Sequence, residues 1–252
     1  RRGPRPLCQN GFYPATCPAQ RAAEVPELPE ASGLNRASAL PAAADGMASP
    51  PASADHAARK RPRPGERKVQ ILQTLAAMLE QPGADRITTA ALAARLQVSE
   101  AALYRHFASK AQMFEGLIEF IESSVFTLVN QITERDEGGA LQARRIVTLL
   151  LQFAEKNPGM VRVMVGDALV FEHERLSLRM NQFFDRLEGQ LRQCLRGVTE
   201  AQGSATPTVD AQALASGLTA LAVGRLHRYA RSGFKRAPTE HLDLVLLRLT
   251  AV

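Results

Sequence analysis

The 252 residues are 45% hydrophobic, enough for one medium domain or two small ones with a buried core, and their net charge of +6 favours a polyanionic partner, nucleic acid or an anionic membrane surface. The three cysteines, Cys8, Cys17 and Cys194, are too few and too scattered for a disulfide framework or a zinc site, so a reducing cytoplasm is the simplest setting. No apolar run approaches the ~20 residues that span a bilayer, the longest (213–223) being interrupted by Ser216, Gly217 and Thr219, and no apolar segment marks a secretory signal.

Residues 1–66 are rich in Pro, Ala, Gly and Ser and lack a sustained hydrophobic period. Such a segment buries too little apolar surface to offset its ordering entropy and is expected to be disordered. The chain begins with Arg, and Met47 is its first methionine, so a native start at Met47 with 1–46 as an upstream extension is expected. Peptides from 1–46 in mass spectra of the natural protein would refute that. Arg59-Lys60-Arg61-Pro62-Arg63, then Arg67-Lys68, read either as a solvated charge run or as a basic arm lying along phosphates. Their position directly before a DNA-binding pattern favours the arm.

From residue 67 the pattern is helical throughout. Val69, Leu72, Leu75 and Leu79, widened by Ile71 and Met78, predict a first helix stopped by Pro82-Gly83. Thr88 or Thr89 caps a second helix carrying Leu92, Ala93 and Leu96. Ser99 caps a third over 100–107 with Leu103 and Phe107 inward. Ser109 caps a long fourth helix through Met113, Phe114, Leu117, Ile118, Ile121, Val125 and Leu128. Gly138-Gly139 breaks the chain, and a fifth helix over 140–156 carries Ile146, Leu149, Leu150 and Phe153 up to Asn157-Pro158-Gly159. A helical run over 159–172, an amphipathic helix over 176–195 and two last helices over 210–232 and 239–249 complete an all-α chain. Leu214, Leu218, Leu221 and Leu226 suggest a face through which the last two helices form a four-helix homodimer interface.

The segment 88–107 is a helix-turn-helix: two short helices, each opened by a hydroxyl residue, joined by a three- to four-residue turn. Ala93, Val98 and Leu103 sit at the spacing that packs the pair, and small Ala90 and Ala94 allow close approach. The third helix presents Ala101, Ala102 and Arg105 on a slim outer face that fits the major groove, where Ala meets thymine methyls and Arg105 reads base edges. Thr88, Thr89 and Ser99 at helix N-termini, with Tyr104, His106 and Lys110, suit phosphate oxygens. Lys110 sits in the first turn of a helix, where the helix dipole disfavours a cation, and a phosphate nearby would explain it. Gln97 occupies the turn; a positive φ there would cost it about 1 kcal/mol. The expected partner is double-stranded DNA with near-palindromic sites, half-sites about 34–36 Å apart.

His56, His106, His173, His227 and His241 have no histidine partner at i+4, and no phosphate loop, serine elbow or Cys–His pair stands out. No metal, cofactor or enzymatic activity is expected.

Val98-Ser99, Leu103-Tyr104, His106-Phe107, Ser109-Lys110 and Met113-Phe114 resemble the DNA-binding signature of TetR-type regulators. The resemblance implies a three-helix DNA-binding head over 67–115 and a helical dimerisation and regulatory body over 116–252. Many relatives carry Gly where this chain has Gln97. Arg86-Ile87-Thr88-Thr89, residues 98–107, residues 117–122, Asn157-Pro158-Gly159, Asn181-Gln182 and residues 190–193 are further similar to the nucleoid occlusion factor branch. Members of that branch bind palindromic chromosomal sites and block assembly of the tubulin-like cell-division GTPase, FtsZ, over unsegregated DNA. The resemblance implies a nucleoid-associated, cytoplasmic protein with a partner groove between the fourth and fifth helices. On this chain that groove would include Phe120, Leu149, Lys156 and Asn157, with Leu128 where an arginine is expected. Whether one dimer or a dimer of dimers occupies a site stays open. The alternative is a ligand-responsive TetR-type repressor, although a chain without Trp and with three Tyr supplies an aromatic drug pocket poorly.

Overall fold

The computed structural model describes residues 65–81, 86–135 and 137–251, and every regular element among them is helical. The basic run 59–63, the extension 1–46 and the Pro82-Gly83 stop lie outside the described residues.

Three short helices make the head. Helix α1 (Glu66–Leu79) buries Ile71, Leu72, Leu75, Ala76 and Leu79, the stripe its 3.6-residue period requires. Helices α2 (Thr89–Leu96) and α3 (Glu100–Tyr104) pack on each other, with Leu92, Ala93 and Leu103 turned inward. Lys68 lies over the Phe107 ring at 5.7 Å, tying the start of α1 to the end of the motif.

Helix α4 (Lys110–Thr133) runs from head to body. Its first half supports α1, so closely that a side chain at Gly116 would meet Leu72 Cδ1 at 3.0 Å. In the body, α5 (Gly139–Lys156) is the central helix, packed against α4, α6 (Pro158–Met164), α7 (Glu174–Ala201), α8 (Pro207–Arg231) and α9 (Leu242–Thr250). Ile146, Val147, Leu149, Leu150 and Leu151 of α5 are wholly buried, as a helix surrounded by others demands. Helices α7 and α8 pack on each other; α7 buries Leu176, Met180, Phe183, Leu187 and Leu191, and α8 buries Ala211, Ala215, Leu218 and Ala222.

Four sequence expectations are corrected. The third helix ends at Tyr104, not at 107; Arg105 and His106 form its last turn, closed by the Phe107 N–H donating to Leu103 O at 3.1 Å. The run over 159–172 is broken, because Gly166 takes a left-handed φ of 87° after α6 and leads into a 3-10 turn (Asp167–Leu169). The last helix starts at Leu242, after His241 at φ 54°; Arg225 holds the preceding loop by donating to the carbonyls of Pro238 and Glu240, both at 2.8 Å. Leu218 and Leu226 belong to the core of the chain itself, at 2% and 0% exposure, and cannot carry a dimer face. The exposed side of α8 instead shows Ala213, Gly217, Ala220 and Gly224, and α9 exposes Leu244 and Leu247.

Candidate nucleic-acid interface

Side-chain hydroxyls set the start of each element here. Thr88, in an extended conformation, caps α2: its Oγ1 accepts the Ala91 N–H at 3.1 Å. Ser99 caps α3 by accepting from Ala102 N–H at 3.3 Å, and Ser109 caps α4 by accepting from Gln112 N–H at 3.2 Å. A hydroxyl that accepts a cap bond keeps its own hydrogen, so exposed Thr88 and Ser99 can still donate outward to an anion. Thr89 is not the cap. It is the first residue of α2, and its hydroxyl donates to Glu100 Oε2 at 2.6 Å, bracing the start of α2 against the start of α3.

The turn between α2 and α3 is a Schellman arrangement. Gln97 takes φ 55°, ψ 46°; its N–H bonds to Ala94 O at 3.1 Å, and the Val98 N–H reaches Ala93 O at 3.0 Å. A non-glycine residue therefore occupies the left-handed region, at the position where the sequence departs from the commoner glycine.

On the outer surface, Thr88, Ser99, Ala101, Tyr104 and Arg105 are exposed, and Thr89, Ala102 and His106 are half-buried. The motif thus brings eight of the nine expected DNA-contacting residues onto accessible positions along α2 and α3. Tyr104, 46% exposed, is a large aromatic ring left in water by the fold. A slim helix with small residues at its start and a cation and a phenol at its end matches the shape and chemistry of a duplex groove and its phosphate edge.

Lys110 is placed differently from the expectation. Its ammonium is ion-paired with Glu172, from the segment between the 3-10 turn and α7, and lies 5.6 Å from the centre of the Phe114 ring. A carboxylate inside the protein, not a phosphate, offsets the helix dipole at this first-turn lysine. Arg86, just before α2, lies over the Phe171 ring at 5.8 Å. The loop 170–172 therefore touches the head through both cations. Sequence reasoning missed it, because nothing local marks residue 172 as a neighbour of residue 110.

Two further ion pairs continue the same seam between α4 and α7. Arg175 meets Glu115 at 2.9 Å, and Arg179 meets Glu122 through two nitrogens at 3.0 and 2.5 Å. The Glu122 carboxylate, first through its hydrogen bond, pushes the Arg179 guanidinium above its ordinary range.

The four residues expected in a partner groove do not line one open trough. Leu149 is wholly buried and Asn157 is 1% exposed, its Nδ2 donating to Phe153 O at 2.9 Å to close the end of α5. Phe120, 9% exposed, packs against Phe153 with ring centres 6.0 Å apart, and Leu128, two turns further along α4, is buried as well. Lys156 is the exposed member. No described helix is long and apolar enough to cross a membrane, and the described residues contain no group of three or more His, Cys, Asp or Glu that could hold a metal ion.

Residues 71–117 match the family described as bacterial regulatory proteins, tetR family. Residues 139–250 match the tetracyclin repressor-like C-terminal domain of the SlmA-like type. The nucleoid occlusion factor SlmA of Photobacterium profundum is 53% identical over 178 residues, covering 70% of this chain and 90% of that protein. The factor of the same name from Aliivibrio fischeri is 51% identical over 183 residues, covering 72% and 93%. Among solved structures, a TetR-like transcriptional regulator from Rhodococcus sp. RHA1 superposes with a TM-score of 0.59 at 20% identity, over 76% of this chain and 99% of that one. FadR from Bacillus subtilis, solved with stearoyl-CoA, gives 0.57 at 12% identity, over 72% and 97%. At those identities the two structures speak for the fold alone.

Proposed function

The chain belongs to the SlmA family of nucleoid occlusion factors within the TetR-type regulators, and from that premise we propose that it binds near-palindromic duplex DNA as a homodimer and there blocks assembly of FtsZ. The observation that carries the DNA half is the accessible crest of Thr88, Ser99, Ala101, Tyr104 and Arg105, held in place by hydroxyl caps on α2 and α3. Phosphate contacts from Thr88, Thr89, Ser99, Tyr104, His106 and Lys110 position the head; Ala101, Ala102 and Arg105 read the bases. The protein then resides on the nucleoid, in the cytoplasm.

Dimerisation is assigned to α8 and α9. Leu244 and Leu247 are 60% and 51% exposed on α9, and the small residues on the outer side of α8 allow a second helix to approach closely. Light scattering should report a dimer at micromolar concentration, and Leu247→Glu should yield monomers that keep the wild-type helical content and lose only the stability contributed by association. A wild-type monomer contradicts the assignment. The FtsZ contact is assigned to the α4–α5 side, where Lys156 is the accessible residue and Phe120, Leu149 and Asn157 support it from within.

The test has two arms. Duplexes selected from a random pool should yield a near-palindrome. Tyr104→Ala should weaken binding to all duplexes alike, and Lys110→Ala should also lower the salt slope by about 1. FtsZ polymer should then be sedimented with the protein, with and without the selected duplex. Loss of pelleted polymer in the presence of duplex is the expected result. An unchanged pellet under both conditions removes the division role and favours the ligand-responsive repressor.

A further inference from the structure

Lys110 begins α4, directly after the recognition helix, yet its ammonium is committed to Glu172, a residue of the body 62 positions away. The two side chains are 24% and 9% exposed, so the pair is partly withdrawn from water and less screened than a surface pair. A phosphate approaching this end of the motif meets a neutralised lysine with a carboxylate behind it. The same loop carries Val170 and Phe171, apolar side chains 70% and 65% exposed, and Phe171 is covered on one side by Arg86 of the head. Both of the loop's cationic partners thus flank the DNA-binding motif.

We propose that Glu172 competes with DNA phosphate for Lys110, so that occupation of the head by duplex releases the 170–172 loop from it. The inference rests on the reading of Lys110 as a phosphate ligand and adds what holds that ligand back in the free protein. Coulomb's law sets the direction: Glu172 stabilises the unbound state by pairing with Lys110, and that pairing has to be given up before a phosphate can take the ammonium. Removing its charge therefore tightens DNA binding, and does so only while Lys110 is present. A carboxylate that merely oriented the lysine would have the opposite sign, because losing it would misplace the cation.

The experiment measures affinity by fluorescence anisotropy for a labelled mixed-sequence duplex about three helical turns long, near 0.1 M salt, where the Debye length is about 10 Å. The proteins are wild type, Glu172→Gln, Lys110→Ala, the double variant, and Glu174→Gln as a control for one lost charge nearby. Thermal unfolding establishes that each is folded. Glu172→Gln should bind about fivefold more tightly, the scale of a partly buried ion pair, while Glu174→Gln changes affinity less than about twofold. The gain should vanish in the Lys110→Ala background. An unchanged or weakened Glu172→Gln overturns the proposal, as does a gain that persists without Lys110. If the wild type binds no duplex, the DNA reading itself falls and this inference with it. Hydrogen exchange reads the loop: the Leu169 and Glu172 amides, bonded to Gly166 O at 2.8 Å and Leu169 O at 3.0 Å, should exchange faster with duplex bound. Equal exchange with and without duplex overturns the release of the loop.

Discussion

Gly159, the second residue of α6, is where the head rests on the body, and replacing it with alanine should loosen that contact. A Cβ at this position would lie 2.2 Å from the Ala76 carbonyl oxygen of α1, 3.0 Å from its carbon and 3.2 Å from Glu80 Cγ. Ordinary contact begins near 3.4 Å, so α1 would have to withdraw by about 1.2 Å, and the obstacle is backbone rather than a side chain that could swing aside. Overpacking of this kind costs about 1–3 kcal/mol. The withdrawal also stretches the bond from the Gly159 N–H to the Glu80 carboxylate, which links the end of α1 to the start of α6. Urea denaturation of Gly159→Ala should therefore show a loss of about 2 kcal/mol. DNA affinity should fall with it, because α1 carries α2. Gly197, within α7, meets nothing within 4 Å, and alanine there should stabilise by up to about 1 kcal/mol through helix propensity alone. If both variants unfold at the wild-type midpoint, or Gly159→Ala matches Gly197→Ala in sign, the close approach of α1 and α6 does not govern this junction.

Two further outcomes follow from local geometry. Gln97→Gly should relieve the left-handed strain at φ 55° and raise stability by about 1 kcal/mol, or about 2–4 °C in Tm, and a lower Tm would show that contacts of the Gln97 side chain outweigh the strain. Burial raises the Glu80 carboxyl above its ordinary value of 4.5, outweighing the hydrogen bond from Gly159. The folded state then binds this proton more readily than the unfolded one, so the cost of the buried charge is full above the raised folded pKa and disappears as pH falls through it towards 4.5. Glu80→Gln should accordingly gain most against wild type at neutral pH and lose that advantage on acidification; a gain independent of pH would contradict the burial of charge.

The sequence made the helix-turn-helix legible because its signals act over three or four residues. Ser99 and Ser109 cap the helices that follow them, and the left-handed turn falls at Gln97, because a hydroxyl and the N–H three residues on are neighbours whatever the rest of the chain does. The choice between Thr88 and Thr89 was less legible, since either could cap. Packing settles it by pointing the Thr89 hydroxyl at Glu100. The run expected over 159–172 failed for a local reason that periodicity masks: one glycine in the left-handed region ends the helix while the apolar spacing continues.

Residues distant along the chain obey a different logic. Periodicity says that α5 and α8 have apolar faces, but not which leucines meet their own core and which meet solvent. Leu149, Leu218 and Leu226 are therefore buried where a groove or a dimer face was expected. The pairing of Lys110 with Glu172 is of the same kind: the sequence marks Lys110 as a cation in want of an anion, but that the anion is Glu172 emerges only when the loop after the 3-10 turn folds back onto the first turn of α4. Propensity and capping are nearest-neighbour energies and can be read from the order of residues. Which helix face meets which is decided by close packing of all the helices together, and that exists only once the chain has folded.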